Sequence, residues 1–278
     1  MNRTGRRGRA RRRARRRARR GAAIGVPIEE NEGPPSSNGL PFEISDDRDS
    51  PDDEWLSPDA DDGDEVGDQP KGPSAEELLF NAAREAALQC ETRRAIAIYR
   101  ELLDVNPRHL ETKNNLALLL DQMGEKDEAL NQLQECIEFE PDNVRVLVNH
   151  ASVLGAMGQF AEAEANLNQA LAIDRTDVAA HFNLGLLQSR RGLWVEALPH
   201  LRRAIELDPG CADAYLYLGD ALNHVDDLQG ALQAYSRSVE LRPSSGKALY
   251  GLGVVYDRLN QPAEAAQMYR RSRELNRV

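Results

Sequence analysis

Four asparagines recur along the chain at intervals of 34 residues: Asn81, Asn115, Asn149 and Asn183. A side-chain amide carries both hydrogen-bond donors and an acceptor. A row of amides on one face can therefore bond the C=O and N–H groups of an extended polypeptide, whatever its side chains are. This chemistry is recognition of a peptide backbone, and it requires an architecture that repeats at the same interval.

The rest of the sequence repeats in phase with the asparagines, which defines six units. Position 1 of the units is taken at Glu76, Leu110, Val144, Val178, Ala212 and Gly246. Position 8 is then always alanine or glycine, position 20 always alanine, and position 24 always leucine or tyrosine. Small residues at positions 8 and 20 predict two closely packed helices, A and B, in each unit. Proline at position 32, which Arg175 replaces in the third unit, predicts the end of helix B.

Local signals mark where the helices begin and end. Ser74 and Glu77 predict a capping box at the start of the folded part. Gly124, Gly158 and Gly192, all at position 15, predict a left-handed residue that closes helix A in their units. Helix, turn and helix are therefore expected in each unit.

Small, large and proline positions together resemble the tetratricopeptide repeat family, in six copies over residues 75–275. The resemblance implies an all-α fold, a right-handed α-solenoid of six helix-turn-helix units over residues 74–278. A stack of this kind presents an extended concave groove, and such surfaces bind other chains. The resemblance therefore implies a protein-interaction scaffold.

Position 6 of helix A faces the groove in a superhelix of this family, which places the four asparagines along it. The row resembles the asparagine ladder in the repeat domain of the O-linked N-acetylglucosamine transferases, here without a catalytic domain. That resemblance implies peptide binding by Asn81, Asn115, Asn149 and Asn183. Flanking groove residues are expected to set selectivity: Phe80, Arg84, Asn114, Arg145, Phe182 and Tyr217. The alternative is that the amides only satisfy neighbouring backbone groups.

The residue pattern gives no support to catalysis or metal binding. None of the five histidines lies in a ligand spacing such as HExxH, and no P-loop, GxSxG or GxGxxG motif occurs. His150, at position 7, and His181, at position 4 of the next unit, are expected to approach each other as a hydrogen-bonded pair. The three cysteines have neither metal-site nor disulfide spacing. We therefore predict a non-enzymatic protein without cofactor or metal.

The N-terminal quarter differs in composition from the repeats. Residues 1–27 form an arginine-rich tail, with 12 arginines and no acidic residue in the first 20 positions. Residues 28–73 form an acidic, Pro/Gly-rich linker. Both segments have too little apolar surface to offset the entropy of ordering, so disorder is expected. No apolar run approaches the ~18 residues of a membrane span, and no signal-peptide core is present, so a cytoplasmic location is expected.

Both ends of the chain carry charges that suggest partners. The N-terminal tract would attract phosphate groups of nucleic acid or an anionic surface through Arg11, Arg12, Arg13, Arg15, Arg16 and Arg17. Two alternatives are that the acidic linker neutralises this tract, or that the natural start lies downstream of it. At the other end, Arg270, Arg271 and Arg273 would solvate the last helix, the alternative being weak self-association through the C-terminal repeat.

Two functions follow from these patterns. The first is a scaffold or adaptor that binds an extended segment of a partner protein in the groove. The second is a nucleic-acid-associated adaptor that the arginine tract anchors.

Overall fold

A computed structural model describes residues 73–275; the predicted arginine-rich tail and nearly all of the acidic linker lie outside this range. The described residues form twelve α-helices and no strand. The A helices are α1 (Ala75–Leu88), α3 (Leu110–Met123), α5 (Val144–Ala156), α7 (Val178–Arg190), α9 (Ala212–His224) and α11 (Gly246–Arg258). The B helices are α2 (Thr92–Val105), α4 (Lys126–Phe139), α6 (Phe160–Ile173), α8 (Trp194–Leu207), α10 (Leu228–Leu241) and α12 (Pro262–Leu275). The six predicted helix pairs are confirmed.

The helix pairs stack in chain order. Each A helix packs most extensively on the B helix of its own unit, and each B helix packs next on the A helix of the following unit. From α3 onward, successive A helices also touch one another, whereas successive B helices of the described chain share no comparable contact. The A helices are therefore closer together and lie on the inner side of this α-solenoid.

Small residues set the distance between the two helices of a unit. The alanines at position 20 are at most 1 % exposed in all six units, and position 8 is buried in every unit. A Cβ atom added at Gly185 would lie 2.6 Å from Cγ of Leu201, the residue at position 24 of the same unit. That separation is shorter than any normal carbon contact, so the large residue at position 24 requires a small one opposite it. The prediction for positions 8 and 20 is confirmed.

A left-handed residue ends helix A in every unit. Gly124, Gly158 and Gly192 have φ angles of 83°, 80° and 73°, as predicted. The other three units place non-glycine residues at position 15, with φ angles of 60°, 69° and 59° at Cys90, Asp226 and Asn260 respectively. Asp and Asn tolerate this conformation better than other residues with a side chain. The stack therefore imposes the turn even on Cys90, which the sequence alone does not indicate.

Helix B ends at position 30 in the first five units, including the third, in which Arg175 replaces proline. The substitute is a side-chain turn: the Asp174 carboxylate accepts from the Thr176 amide at 2.8 Å and from its hydroxyl at 2.7 Å. Asp208 makes the equivalent bond to the amide of Gly210, so an Asx-turn accompanies proline in the fourth unit. Proline is therefore one of two devices that stop helix B.

The first helix begins at the predicted capping box. Ser74 Oγ accepts from the Glu77 amide at 3.2 Å, and the Glu77 carboxylate accepts from the Ser74 amide at 2.7 Å. Later A helices use single caps, with Asn143 accepting from Val146 and Asp177 from Ala180. These bonds satisfy amides that the first helical turn leaves unpaired.

Cys90 is exposed and adopts the left-handed conformation at a non-glycine residue. Replacing it with glycine should raise the free energy of unfolding by about 0.5–1 kcal/mol, because the steric strain of a Cβ at this angle disappears. Urea denaturation of C90G and the wild type measures the difference. G124A, which introduces the same strain into the second unit, should change stability in the opposite direction. A stability loss in C90G would show that the turn at Cys90 is not strained.

Candidate functional site

The four asparagines occupy the same position on consecutive A helices, but their exposure differs. Asn81 on α1 is exposed and Asn149 on α5 is partly exposed. Asn115 on α3 and Asn183 on α7 are only 5 % and 9 % exposed. The A-helix face is defined here as the surface formed by positions 2, 5, 6, 9 and 13 of the A helices. Asn81 and Asn149 are the two ladder residues most open to a ligand on this face.

The amides of α3 and α5 form a hydrogen-bonded line. The Asn149 amide donates to Asn114 Oδ1 at 2.8 Å, and the Asn114 amide donates to Asn115 Oδ1 at 3.4 Å. Asn114 is only 1 % exposed, so it orients its neighbours and offers little surface to a ligand. The alternative role of the asparagines is hydrogen bonding to neighbouring backbone groups. The bond from Asn149 to Asn114 instead joins side chains of successive units, and the bond from Asn114 to Asn115 joins neighbours on α3.

An open depression of about 230 Å³, including the solvent above it, lies between α5 and α7. Its polar side chains are Ser152, Asn183 and Arg190. The remaining wall comes from Ala151, Gly155, Leu167, Leu186 and Leu187. The Asn183 amide makes no hydrogen bond to another described residue, and it lines this depression. A hydroxyl, an amide and a guanidinium at the edge of this shallow depression thus present hydrogen-bonding groups beside apolar surface.

Aromatic residues form the face at the first unit. The Phe80 ring lies 5.3 Å from the His109 ring and 6.1 Å from the Tyr99 ring, measured between centroids. The Arg84 guanidinium lies 5.8 Å from the centroid of Phe80. Arg145 is exposed near the start of α5. Phe80 and Arg84 thus place an aromatic ring and a cation on α1, and Arg145 adds a cation on α5.

The face changes character at the fifth unit. Phe182 is completely buried and packs against Tyr217, with ring centroids 5.8 Å apart at 58°. Phe182 therefore supports Tyr217 and has no surface for a ligand. Beside it, Asp220 accepts a hydrogen bond of 2.5 Å from the Tyr235 hydroxyl. Burial raises the pKa of Asp220 to about 6, although the Tyr235 bond and the charge of Lys247 act in the opposite direction.

The predicted pairing of His150 with His181 is wrong. His181 Nδ1 lies 3.5 Å from His200 Nδ1, and His150 Nδ1 lies 2.6 Å from the Asn166 amide. His150 and His181 thus each face the residue at position 23 of their own unit. Helices A and B of one unit are closer at this point than successive A helices are. Burial lowers the pKa values of both His150 and His200, so both rings are neutral near pH 7.

No group of three or more histidine, cysteine, aspartate or glutamate side chains within residues 73–275 is arranged to hold a metal ion. Within the same range, no helix combines the length and the hydropathy needed to cross a bilayer.

The last unit has a polar end. Position 28 is Leu103, Ile137, Leu171, Ile205 and Val239 in the first five units. Several of these side chains pack against the next A helix, as Ile137 does between the second and third units. Arg273 occupies this position in α12 and is exposed, together with Arg270 and Arg271. This substitution favours the solvated end over self-association through the C-terminal repeat.

Comparison with known proteins identifies the repeats. Family models described as tetratricopeptide repeat match residues 109–139, 142–210, 188–246 and 225–276. They leave out the first unit, whose helix pair nevertheless packs like the others. No curated protein sequence matches the chain significantly.

Solved structures share the fold at low sequence identity. A tetratricopeptide repeat protein from Parabacteroides merdae is 17 % identical, with a TM-score of 0.61 over 74 % of this chain and 81 % of that one. TTC0263 from Thermus thermophilus is 17 % identical, with a TM-score of 0.58 over 65 % and 98 %. MamA from Desulfovibrio magneticus is 24 % identical, with a TM-score of 0.53 over 60 % and 95 %. These similarities concern the fold alone.

The buried carboxylate of Asp220 predicts a pH-dependent stability. Its pKa of about 6 in the folded chain exceeds the ordinary 3.8, so the unfolded chain loses this proton first as the pH rises. The contribution of Asp220 is therefore favourable below about pH 4 and is lost by about pH 6. D220N cannot ionise, and its amide oxygen still accepts from Tyr235. At about pH 7.5 it should raise the free energy of unfolding by about 1–2 kcal/mol, and by much less at about pH 4.

Thermal or urea unfolding at the two pH values measures this effect. D104N is the matched control, since Asp104 is an exposed carboxylate on α2 and its replacement removes the same charge. If D220N changed stability equally at both pH values, ionisation of Asp220 would not be the cause.

Proposed function

This chain belongs to the tetratricopeptide repeat family, and on that premise we propose that it is a non-enzymatic scaffold or adaptor that binds an extended segment of a partner protein along its A-helix face. Proteins of this family are protein-interaction scaffolds. The proposal goes further, to the residues that make the contact. The ligand backbone would run across α5 and α7, where its amide and carbonyl groups meet side-chain amides.

The observation that carries the proposal is the pair of neighbouring amides at Asn149 and Asn183. Asn183 lines the depression between α5 and α7 and makes no hydrogen bond to another described residue. The Asn183 side chain is largely buried and lines this open depression, where a peptide N–H or C=O would bond to its amide. Asn149 is already oriented by Asn114, so little entropy is lost when it binds.

The remaining predicted residues have different parts in this proposal. Asn81, Phe80 and Arg84 would extend the site over α1, and Arg145 would add a cation at the edge of α5. Asn115 and Asn114 would hold Asn149 in place, and Tyr217 would bound the site toward α9. Phe182 acts only as the support of Tyr217. Backbone recognition through amides tolerates many ligand sequences, which is the behaviour expected of an adaptor.

Removing two amides tests the proposal. Unstructured peptides of about 12 residues, roughly 40 Å long when extended, are selected from a displayed library against the full chain. Their affinities are then measured by fluorescence anisotropy. N149A combined with N183A should weaken binding by about tenfold or more, since each lost hydrogen bond is worth about 0.5–1.5 kcal/mol. The matched control is N131A, because Asn131 is exposed on the B helix α4.

Circular dichroism should show unchanged helicity in the double variant. If selected peptides bound N149A/N183A and the wild type equally well, the amide row would not be the binding site. Selection of no peptide at all would contradict the scaffold proposal in its present form.

A second candidate function rests on the arginine tract, which places six cations within Arg11–Arg17. Such a tract binds phosphate backbones with little sequence preference, and the affinity decreases steeply with salt. We expect the full chain to bind RNA or DNA at low salt with a log–log slope of about −4 to −5. Replacing the six arginines with serine should make the slope of the full chain shallower by about this amount, because six other arginines of residues 1–20 remain, and filter binding over a salt series measures the change. Equal binding by the serine variant would exclude the tract as the anchor.

A further inference from the structure

We infer that the A-helix face of the fifth and sixth units is a pocket for one arginine or lysine side chain of the bound partner segment. Asp220 supplies the counter-charge, and Tyr217 and Tyr250 supply flanking aromatic surface. The inference rests on the proposed function, because the cation would belong to the same extended segment that the amides bind.

The pocket begins where the amide row ends. Position 6 is asparagine in the first four units but Tyr217 in the fifth and Gly251 in the sixth. Position 9 carries a carboxylate only at Asp220. Tyr217 and Asp220 are three residues apart on α9 and therefore share one face of the helix. A segment leaving Asn183 would thus meet an aromatic ring and a carboxylate in place of a further amide.

Two glycines allow the fold to position this carboxylate. The Tyr235 ring is 2 % exposed and lies between α9 and α11. A Cβ at Gly219 would lie 2.7 Å from the ring, and a Cβ at Gly251 would lie 2.5 Å from it. Because both positions are glycine, the ring fits and its hydroxyl donates to Asp220 Oδ1 at 2.5 Å. The carboxylate is therefore oriented before any ligand arrives.

Asp220 has no ion-pair partner among the described residues. The neighbouring Asp213 is neutralised by Arg242, through two bonds of 2.8 and 3.0 Å. Lys247 on α11 is close enough to lower the pKa of Asp220, but it does not come within the 4.0 Å of an ion pair. Burial raises the pKa of the Tyr217 hydroxyl, and the charge of Arg190 opposes this shift. A partly buried carboxylate without a counter-ion is unfavourable in the free protein, and a ligand cation would relieve it.

Two tyrosines, Tyr217 on α9 and Tyr250 on α11, lie on the A-helix face of the same two units as the carboxylate. The Tyr217 ring packs against the ring of the buried Phe182. Tyr250 on α11 is 59 % exposed and tilts against Tyr269, with ring centroids 5.5 Å apart. It lies three residues from Lys247 and directly before Gly251, whose backbone contacts Tyr235. Aromatic faces beside a carboxylate are suited to a cationic side chain, and the planar guanidinium of arginine stacks best.

The experiment uses the displayed peptide library and the full chain. Peptides selected by the wild type should contain one arginine or lysine more often than the starting library, and selection by D220N should lose this enrichment. A selected arginine peptide is then compared with its citrulline analogue, which has nearly the same shape but no charge. D220N should weaken the arginine peptide by about tenfold and change the citrulline peptide less than about twofold. D104N, which removes a distant exposed carboxylate, should leave both affinities unchanged.

Three other outcomes are informative, and each overturns the inference. If N149A/N183A abolishes binding but the peptides show no cation preference, the proposed function stands and the Asp220 pocket does not. If neither set of variants affects binding, both proposals are overturned. If serine substitution of Arg11, Arg12, Arg13, Arg15, Arg16 and Arg17 alone raises affinity for the arginine peptide, the pocket serves this chain's own arginine tract and not a partner.

Discussion

The close approach of helices A and B within each unit is the constraint on which the rest of the structure depends. A large side chain at position 24 fits only against alanine or glycine at position 8, as Leu201 does against Gly185. The buried alanine at position 20 of helix B likewise lets helix A of the same unit approach closely. Because this contact recurs in six units, every A helix has the same rotation about its axis. A row of equivalent side chains, the asparagines included, then faces one side of the stack.

Most of the fold could be predicted from the sequence because each unit repeats the same packing problem. The period sets the number of helix pairs, and the small and large positions set which faces meet. Two features could not be predicted because they depend on the stack as a whole. Helix α6 stops without proline because Asp174 turns the chain onto Thr176. Cys90 adopts a left-handed angle because its neighbours in the stack fix the turn that its own side chain disfavours.

The candidate site was less predictable than the fold. Periodicity indicates which helix face a residue occupies, but burial depends on how deeply neighbouring helices interpenetrate. Phe182 and Asn183 are adjacent in sequence, yet one is a support in the core and the other lines a depression. The bond between Tyr235 and Asp220 depends on two glycines in different units. The histidine pairing was wrong because proximity was inferred between successive A helices, whereas the contacts lie within units.

Stability and recognition are carried by different positions of the repeat. Positions 8, 20 and 24 are almost entirely apolar and buried, whereas positions 6 and 9 carry the polar side chains of Asn183 and Asp220. Burial of the ionised Asp220 carboxylate reduces the stability of the free protein, so its presence on this face is better explained by a ligand than by packing. The two ends of that face differ in chemistry. Amides accept any backbone and leave the register of a bound segment undefined, whereas a single carboxylate beside two tyrosines accepts one cation and fixes it. The order of the units along the stack would therefore determine both the direction and the register of a bound segment.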